Sequence, residues 1–148
     1  MSELVPAVAA ANYQSLAASH QQCIACGDPQ MNPLTLGLRF STTPASSVVA
    51  DCRITAAWQG YSGIMHGGVI STLLDAAMTH CLFHHGVKAL TAELNVKFVR
   101  PVAVGLQLRV SAALVKQRRA VFWLNAELAD SSAIYATAAA KFVTVAEI

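Results

Sequence analysis

The chain has 148 residues, 55% of them hydrophobic and 12% charged, and Lys plus Arg exceed Asp plus Glu by 10 − 8 = 2. That length suits one domain of ordinary size, able to bury a core without metal or disulfide help. So small and scattered a basic surplus excludes a dedicated nucleic-acid surface, and low charge with high hydrophobicity excludes disorder.

Residues 1–22 are expected to form a weakly amphipathic N-terminal helical segment, ahead of a main domain over residues 23–148. Leu4 to Gly27 lacks Asp, Glu, Lys and Arg, but only Glu3 precedes it, whereas a secretory signal begins with basic residues. Ile54 to Leu74 is equally free of charge, yet Gln59, His66 and four glycines interrupt it. A spanning helix requires about 20 dominantly apolar residues, so no membrane segment and a cytoplasmic location are expected.

Cys23-Ile-Ala-Cys26-Gly27 is read as an ordinary turn. Zinc there would require four ligands; His20 offers a third, and no second Cys-x-x-Cys exists to complete the set. No metal is therefore expected. Cys52 and Cys81 sit in apolar runs and suit the core. Leu36, Leu38 and Phe40, then Val48, Ala50, Cys52 and Ile54 after a Thr-Thr-Pro-Ala-Ser turn, have the period of two that predicts half-buried strands.

From His66 to His84 the period changes. Val69, Ile70, Leu73, Leu74, Ala77, Met78, Cys81 and Leu82 recur at three- and four-residue steps, predicting a helix about 28 Å long. Gly67 and Gly68 fall at its start, and Gly86 supplies the stop. Leu90, Ala92, Leu94, Val96 and Phe98 then alternate with Thr91, Glu93, Asn95 and Lys97 as far as Pro101. Leu106 to Val115, Val121 to Leu128 and Ile134 to Val145 continue the alternation across short turns, which implies antiparallel hairpins. The predicted fold class is α+β, with about six antiparallel strands curled around one long buried helix.

That helix carries one acidic residue, Asp75, with no Lys or Arg at helical spacing. A carboxylate there is costly to bury unless it is paired or used. Either it bonds the hydroxyls of Ser71, Thr72 and Thr79 on a solvated stripe, or it is held in a cleft as a general base or nucleophile. His66-Gly67-Gly68 at the helix start leaves backbone N–H groups for a developing oxyanion. Gly67 and Asp75 are separated by about 12–13 Å along the axis, so one carbonyl carbon cannot meet both within a single chain. A shared site requires a second subunit.

Gly60-Tyr-Ser-Gly-Ile-Met-His-Gly-Gly-Val-Ile-Ser-Thr-Leu-Leu-Asp75, with the following Leu90-Thr-Ala-Glu-Leu-Asn-Val-Lys-Phe-Val-Arg-Pro101, resembles the signature of the phenylacetate-pathway (PaaI-type) acyl-CoA thioesterases of the hotdog fold. Cys23 to Gly27, Asn32-Pro33 and Leu36 to Phe40 resemble an N-terminal variant of that family. The resemblance implies that residues 23–148 are a hotdog thioesterase domain acting on acyl-CoA without a cofactor. It makes Asp75 the base or nucleophile, Gly67 the oxyanion donor and Thr91 a holder of the attacking water. It also implies a homodimer, or a dimer of dimers, with sites shared between subunits.

Many members carry an amide side chain where this chain has Gly60, so Gln59 is a candidate substitute beside His66 and Gly68 in substrate binding. Arg100, Arg118 and Arg119, with Lys97 and Lys116, could hold the coenzyme's phosphates, or be ordinary solvated turn residues. Trp58, Tyr61, Phe83 and Trp123 fit either an acyl tunnel or the core. Competing readings are a non-catalytic acyl-thioester-binding module and a hydratase on the same fold.

Overall fold

A computed structural model describes residues 10–146, beginning with α1 (Ala10–Ala17) and a 3-10 turn over Ala18–His20. The first nine residues of the expected N-terminal segment, and residues 147–148, lie outside the described residues.

The predicted long helix is α2 (Gly67–His84). At its start the His66 side chain accepts a hydrogen bond from the Gly68 N–H at 2.8 Å, so an imidazole serves where Ser or Asp usually caps. At its end Val87 N–H donates to the Leu82 carbonyl and Gly86 N–H to that of Phe83, with Gly86 at φ 78°. That is the Schellman arrangement, and its left-handed position is one a glycine occupies without strain. Leu73, Leu74, Ala77, Met78, Cys81 and Leu82 are buried, while Thr72, Asp75 and Thr79 form a half-buried polar stripe. The helix is therefore not apolar all round.

One six-stranded antiparallel sheet wraps the apolar side of α2, in the order β1-β2-β4-β5-β6-β3. Its strands are β1 (Ser41–Thr42), β2 (Val48–Arg53), β3 (Leu90–Phe98), β4 (Gln107–Arg118), β5 (Val121–Ala129) and β6 (Ile134–Val143). Inward residues Val48, Val110, Leu124, Leu128 and Phe142 meet the helix in one core. Each such large apolar side chain contributes about 1.5–3 kcal/mol by leaving water.

Two strand expectations need correction. Leu36 to Phe40 does not join the sheet as a strand. Instead Leu36 N–H bonds the Ile24 carbonyl and Leu38 N–H that of Ala25, so this stretch is tied to the cysteine turn. Its alternation still reports burial, with Leu38 in the core. The first strand is the two-residue β1 just beyond it.

In β3, the pairing slips between Thr91 and Glu93, leaving Ala92 as a bulge. Strict alternation would set Thr91 on the face opposite Leu94, Val96 and Phe98. The bulge returns it to their face: Thr91 pairs with buried Phe142, just as Leu94, Val96 and Phe98 pair with buried Ala140, Ala138 and Ala136.

Candidate active site

The bulge has a chemical consequence. Thr91 Oγ1 donates a hydrogen bond to Asp75 Oδ1 at 2.5 Å. The helix hydroxyls are used elsewhere: Ser71 bonds the Gly67 carbonyl, Thr72 that of Gly68 and Thr79 the backbone carbonyl of Asp75. None of the helix hydroxyls considered for Asp75 bonds its side chain; the partner found is the strand residue Thr91, which the sequence resemblance names only as a holder of the attacking water. The pair borders a cavity of about 280 Å³, lined also by His20, Thr79, Phe83 and Lys88. Phe83 is thus a cavity-wall residue, whereas Tyr61 is 85% exposed.

At the other end of the exposed stripe, the first turn of α2 presents backbone. Gly68 N–H is taken by His66 Nδ1, and the Val69 and Ile70 N–H groups by the His66 carbonyl. Among the described residues the Gly67 N–H makes no hydrogen bond, which leaves it as the available donor of that turn. A side chain at position 67 would meet the Phe98 ring at 3.4 Å. At 1.5 Å rise per residue, eight residues separate this donor from Asp75 by about 12 Å.

Gln59 lies on the loop that leads into this turn, and its Oε1 accepts from Gly63 N–H at 3.0 Å. The oxygen accepts there, and the Nε2 amino group is the donor the side chain has for a carbonyl. A Cβ at Gly60 would lie 3.3 Å from the His66 ring, so a side chain there would require the imidazole to shift by a few tenths of an ångström.

The basic residues do not form one patch. Arg118 and Arg119 belong to the turn between β4 and β5, at the end of the sheet where Val121 pairs with Val143 and Val143 with Leu90. They therefore share an end with Thr91 and Asp75. Arg100 follows β3 at the opposite end, about 27 Å away along the strand, with its Nε bonded to the Ile134 carbonyl at 3.0 Å. Lys116 lies over the Trp123 ring at 4.4 Å on the outer face. Lys141 pairs there with Glu93 at 2.8 Å.

Sequence reasoning did not foresee the polar cluster behind the cavity. His80 Nε2 lies 3.1 Å from Cys26 Sγ, and its Nδ1 lies 2.7 Å from the Tyr13 hydroxyl. Burial pushes the Cys26 thiol up to about 12, and Cys23 beside it pushes the same way. Burial also brings His80 down to about 4, helped by His20 and Arg39. Both groups are neutral at pH 7, so this is no activated thiolate–imidazolium pair.

The profile of the thioesterase superfamily matches residues 62–135, half of the chain and the part that contains α2 and β3 to β5. The chain belongs to that superfamily. Acyl-coenzyme A thioesterase THEM4 of Bos taurus is 31% identical over 87 residues, which cover 57% of this chain and 35% of that protein. The chain thus spans about a third of that curated relative's length.

Among solved structures, a phenylacetic acid degradation-related protein of Ralstonia eutropha is 29% identical with a TM-score of 0.66, covering 74% of this chain and 86% of that one. The Escherichia coli PaaI protein superposes with a TM-score of 0.75 at 19% identity, over 91% of this chain and 94% of its own. The six-stranded curved sheet around a long helix is the hotdog fold of these neighbours. No helix among the described residues is long and apolar enough to cross a membrane.

Proposed function

We propose that this chain hydrolyses acyl-CoA thioesters in a site shared by two copies. The observation that carries the proposal is the Asp75 carboxylate, presented by α2 to a cavity and held by Thr91. The THEM4 relative, itself described as an acyl-coenzyme A thioesterase, supports the substrate class.

Water bound beside Asp75 gives its proton to the carboxylate as its oxygen attacks the thioester carbon; alternatively, the carboxylate attacks first and water opens the anhydride. The hydroxyl of Thr91 has spent its one proton on Asp75 but retains lone pairs that can accept a hydrogen bond from that water. The oxyanion forms against the Gly67 N–H, with the Gln59 Nε2 N–H as its second donor. Collapse of the tetrahedral intermediate expels the coenzyme A thiolate, which takes up a proton. Arg118 and Arg119 stand at the Asp75 end to meet its phosphates, and Arg100 at the far end.

Because Gly67 and Asp75 of one chain are too far apart, the carbonyl lies between Gly67 of one subunit and Asp75 of the other. The β3 edge is the natural junction: among the described residues it bonds only β6, and Leu90, Leu94, Phe98 and Val99 beside it are exposed. An unpaired apolar edge invites pairing with a copy of itself. A dimer of dimers would bury further sheet surface.

A panel of aromatic, medium-chain and long-chain acyl-CoA esters with thiol detection tests the activity. Release of free coenzyme A is expected. Water addition to an enoyl-CoA without thiol release would make the protein a hydratase, and binding without either reaction would make it a carrier or sensor.

A further inference from the structure

The cysteine turn is better built than a turn requires. Cys23 and Cys26 flank it, His20 precedes it on the 3-10 turn, and the ligand atoms of all three lie within 4.8 Å of one another. His20 Nδ1 stands 3.7 Å from Cys26 Sγ. The residue that sequence spacing could not supply arrives from α2, 54 positions along the chain: His80 Nε2, 3.1 Å from the same sulfur. His80 Nε2 lies more than 4.8 Å from at least one of the other two ligand atoms, so Cys26 is the hinge of the cluster: it belongs to the His20–Cys23–Cys26 group and also touches the imidazole from the central helix.

The surroundings favour a metal over simple packing. Ala25 N–H points at Cys23 Sγ at 3.3 Å, the kind of amide-to-sulfur bond that supports a thiolate ligand. His80 has its second nitrogen held by the Tyr13 hydroxyl and its ring stacked on Phe40 at 4.4 Å, so Nε2 is held toward the sulfur rather than free to rotate. The turn backbone is fastened from outside: Arg39 holds the carbonyls of Cys26 and Gly27 at 2.9 and 3.2 Å, and Thr35 holds that of Cys23 at 2.9 Å. Gly27 admits no side chain, since a Cβ would meet the Cys23 carbonyl oxygen at 2.5 Å.

We propose that His20, Cys23, Cys26 and His80 form a tetrahedral site for a structural zinc ion. With Zn–S near 2.3 Å and Zn–N near 2.0–2.1 Å, the ligand atoms of such a site lie about 3.3–3.8 Å apart. The observed separations require His20, Cys23 and Cys26 to draw in by about 1 Å, and His80, outside that group, to move by more than this toward at least one of them. Binding releases the two thiol protons, and two thiolates with two neutral imidazoles cancel the ion's charge, so the half-buried site carries no net charge. The ion clasps the 3-10 turn to α2. His20 and Ser19 of that turn line the same cavity as Asp75 and Thr91, so the clasp also fixes a wall of that cavity. This proposal does not depend on which reaction the cavity performs.

Elemental analysis of the full chain, purified without chelator, should give about one zinc per chain, and Cys23→Ser with Cys26→Ser should abolish it. His80→Gln should lower zinc affinity at least tenfold in competition with a chromophoric chelator, and a strong chelator should lower the wild-type melting temperature. Cobalt(II) exchanged into the wild type should show thiolate charge-transfer and intense tetrahedral d–d absorption; this readout does not require any variant to fold. Absence of metal after refolding with zinc, with four reactive thiols, would overturn the proposal. So would a mass lower by two hydrogens, the mark of a Cys23–Cys26 disulfide, or zinc affinity unchanged by His80→Gln.

Discussion

At its first turn, α2 offers only backbone: the Gly67 N–H, reached between glycines and beside the half-exposed Phe98 ring. About two turns further along, the same stripe offers a side chain, the Asp75 carboxylate, half-buried and bonded to Thr91 across a bulge. The difference follows from what each group tolerates. An open N–H at a helix start is satisfied by water until a ligand replaces it, so it can stand at the surface. A carboxylate partly removed from water requires a hydrogen-bond donor, and the fold distorts a strand to supply one. On the proposed reading, one chain holds two halves of a site, finished to different degrees, and a second copy supplies the wall that faces the amide end.

The comparison breaks most sharply at the carboxylate. Asp75→Asn keeps the shape and removes the base, so kcat should fall at least about a hundredfold while the melting temperature is preserved. Near-normal turnover by the folded variant would remove Asp75 from the chemistry. Thr91→Val keeps the volume and deletes the donor to a charged group; a loss of about ten- to hundredfold is expected, with Thr91→Ser within a few-fold of wild type. Equal losses in both variants would mean that the hydroxyl is not what the bulge delivers. The smallest effect belongs to the sheet end nearest Asp75. Replacing Arg118 and Arg119 with Ala should raise KM for acyl-CoA a few-fold without lowering kcat, and added salt should shrink the difference. A drop in kcat alone would contradict their assignment to phosphate binding.

The long helix, its glycine stop and five of the six strands were legible because burial imposes its period on the sequence. The Schellman stop at Gly86 and the buried faces of β2, β5 and β6 fall where the alternation puts them. What escaped reading depends on pairing between distant segments. Ala92 shows no bulge signature, so alternation assigned Thr91 to the wrong face of β3. Leu36 to Phe40 has a strand's pattern but spends its backbone bonds on the cysteine turn. The partner of Cys26 lies 54 residues away, and nothing local to either residue announces the other. Arg100 and Arg118 look neighbourly as a basic set and stand at opposite ends of the sheet, because β3 runs its full length between them.

Mixed dimers test the two-halves account most directly. An Asp75→Asn chain and a chain with Gly67→Val, each inactive alone, should be co-expressed with different tags and purified as verified heterodimers. One composite site then carries both defects and the other neither, so activity should recover to about half that of the wild-type dimer. No recovery in verified heterodimers, or full hydrolysis by a proven monomer, would show that Gly67 and Asp75 do not meet across a subunit boundary.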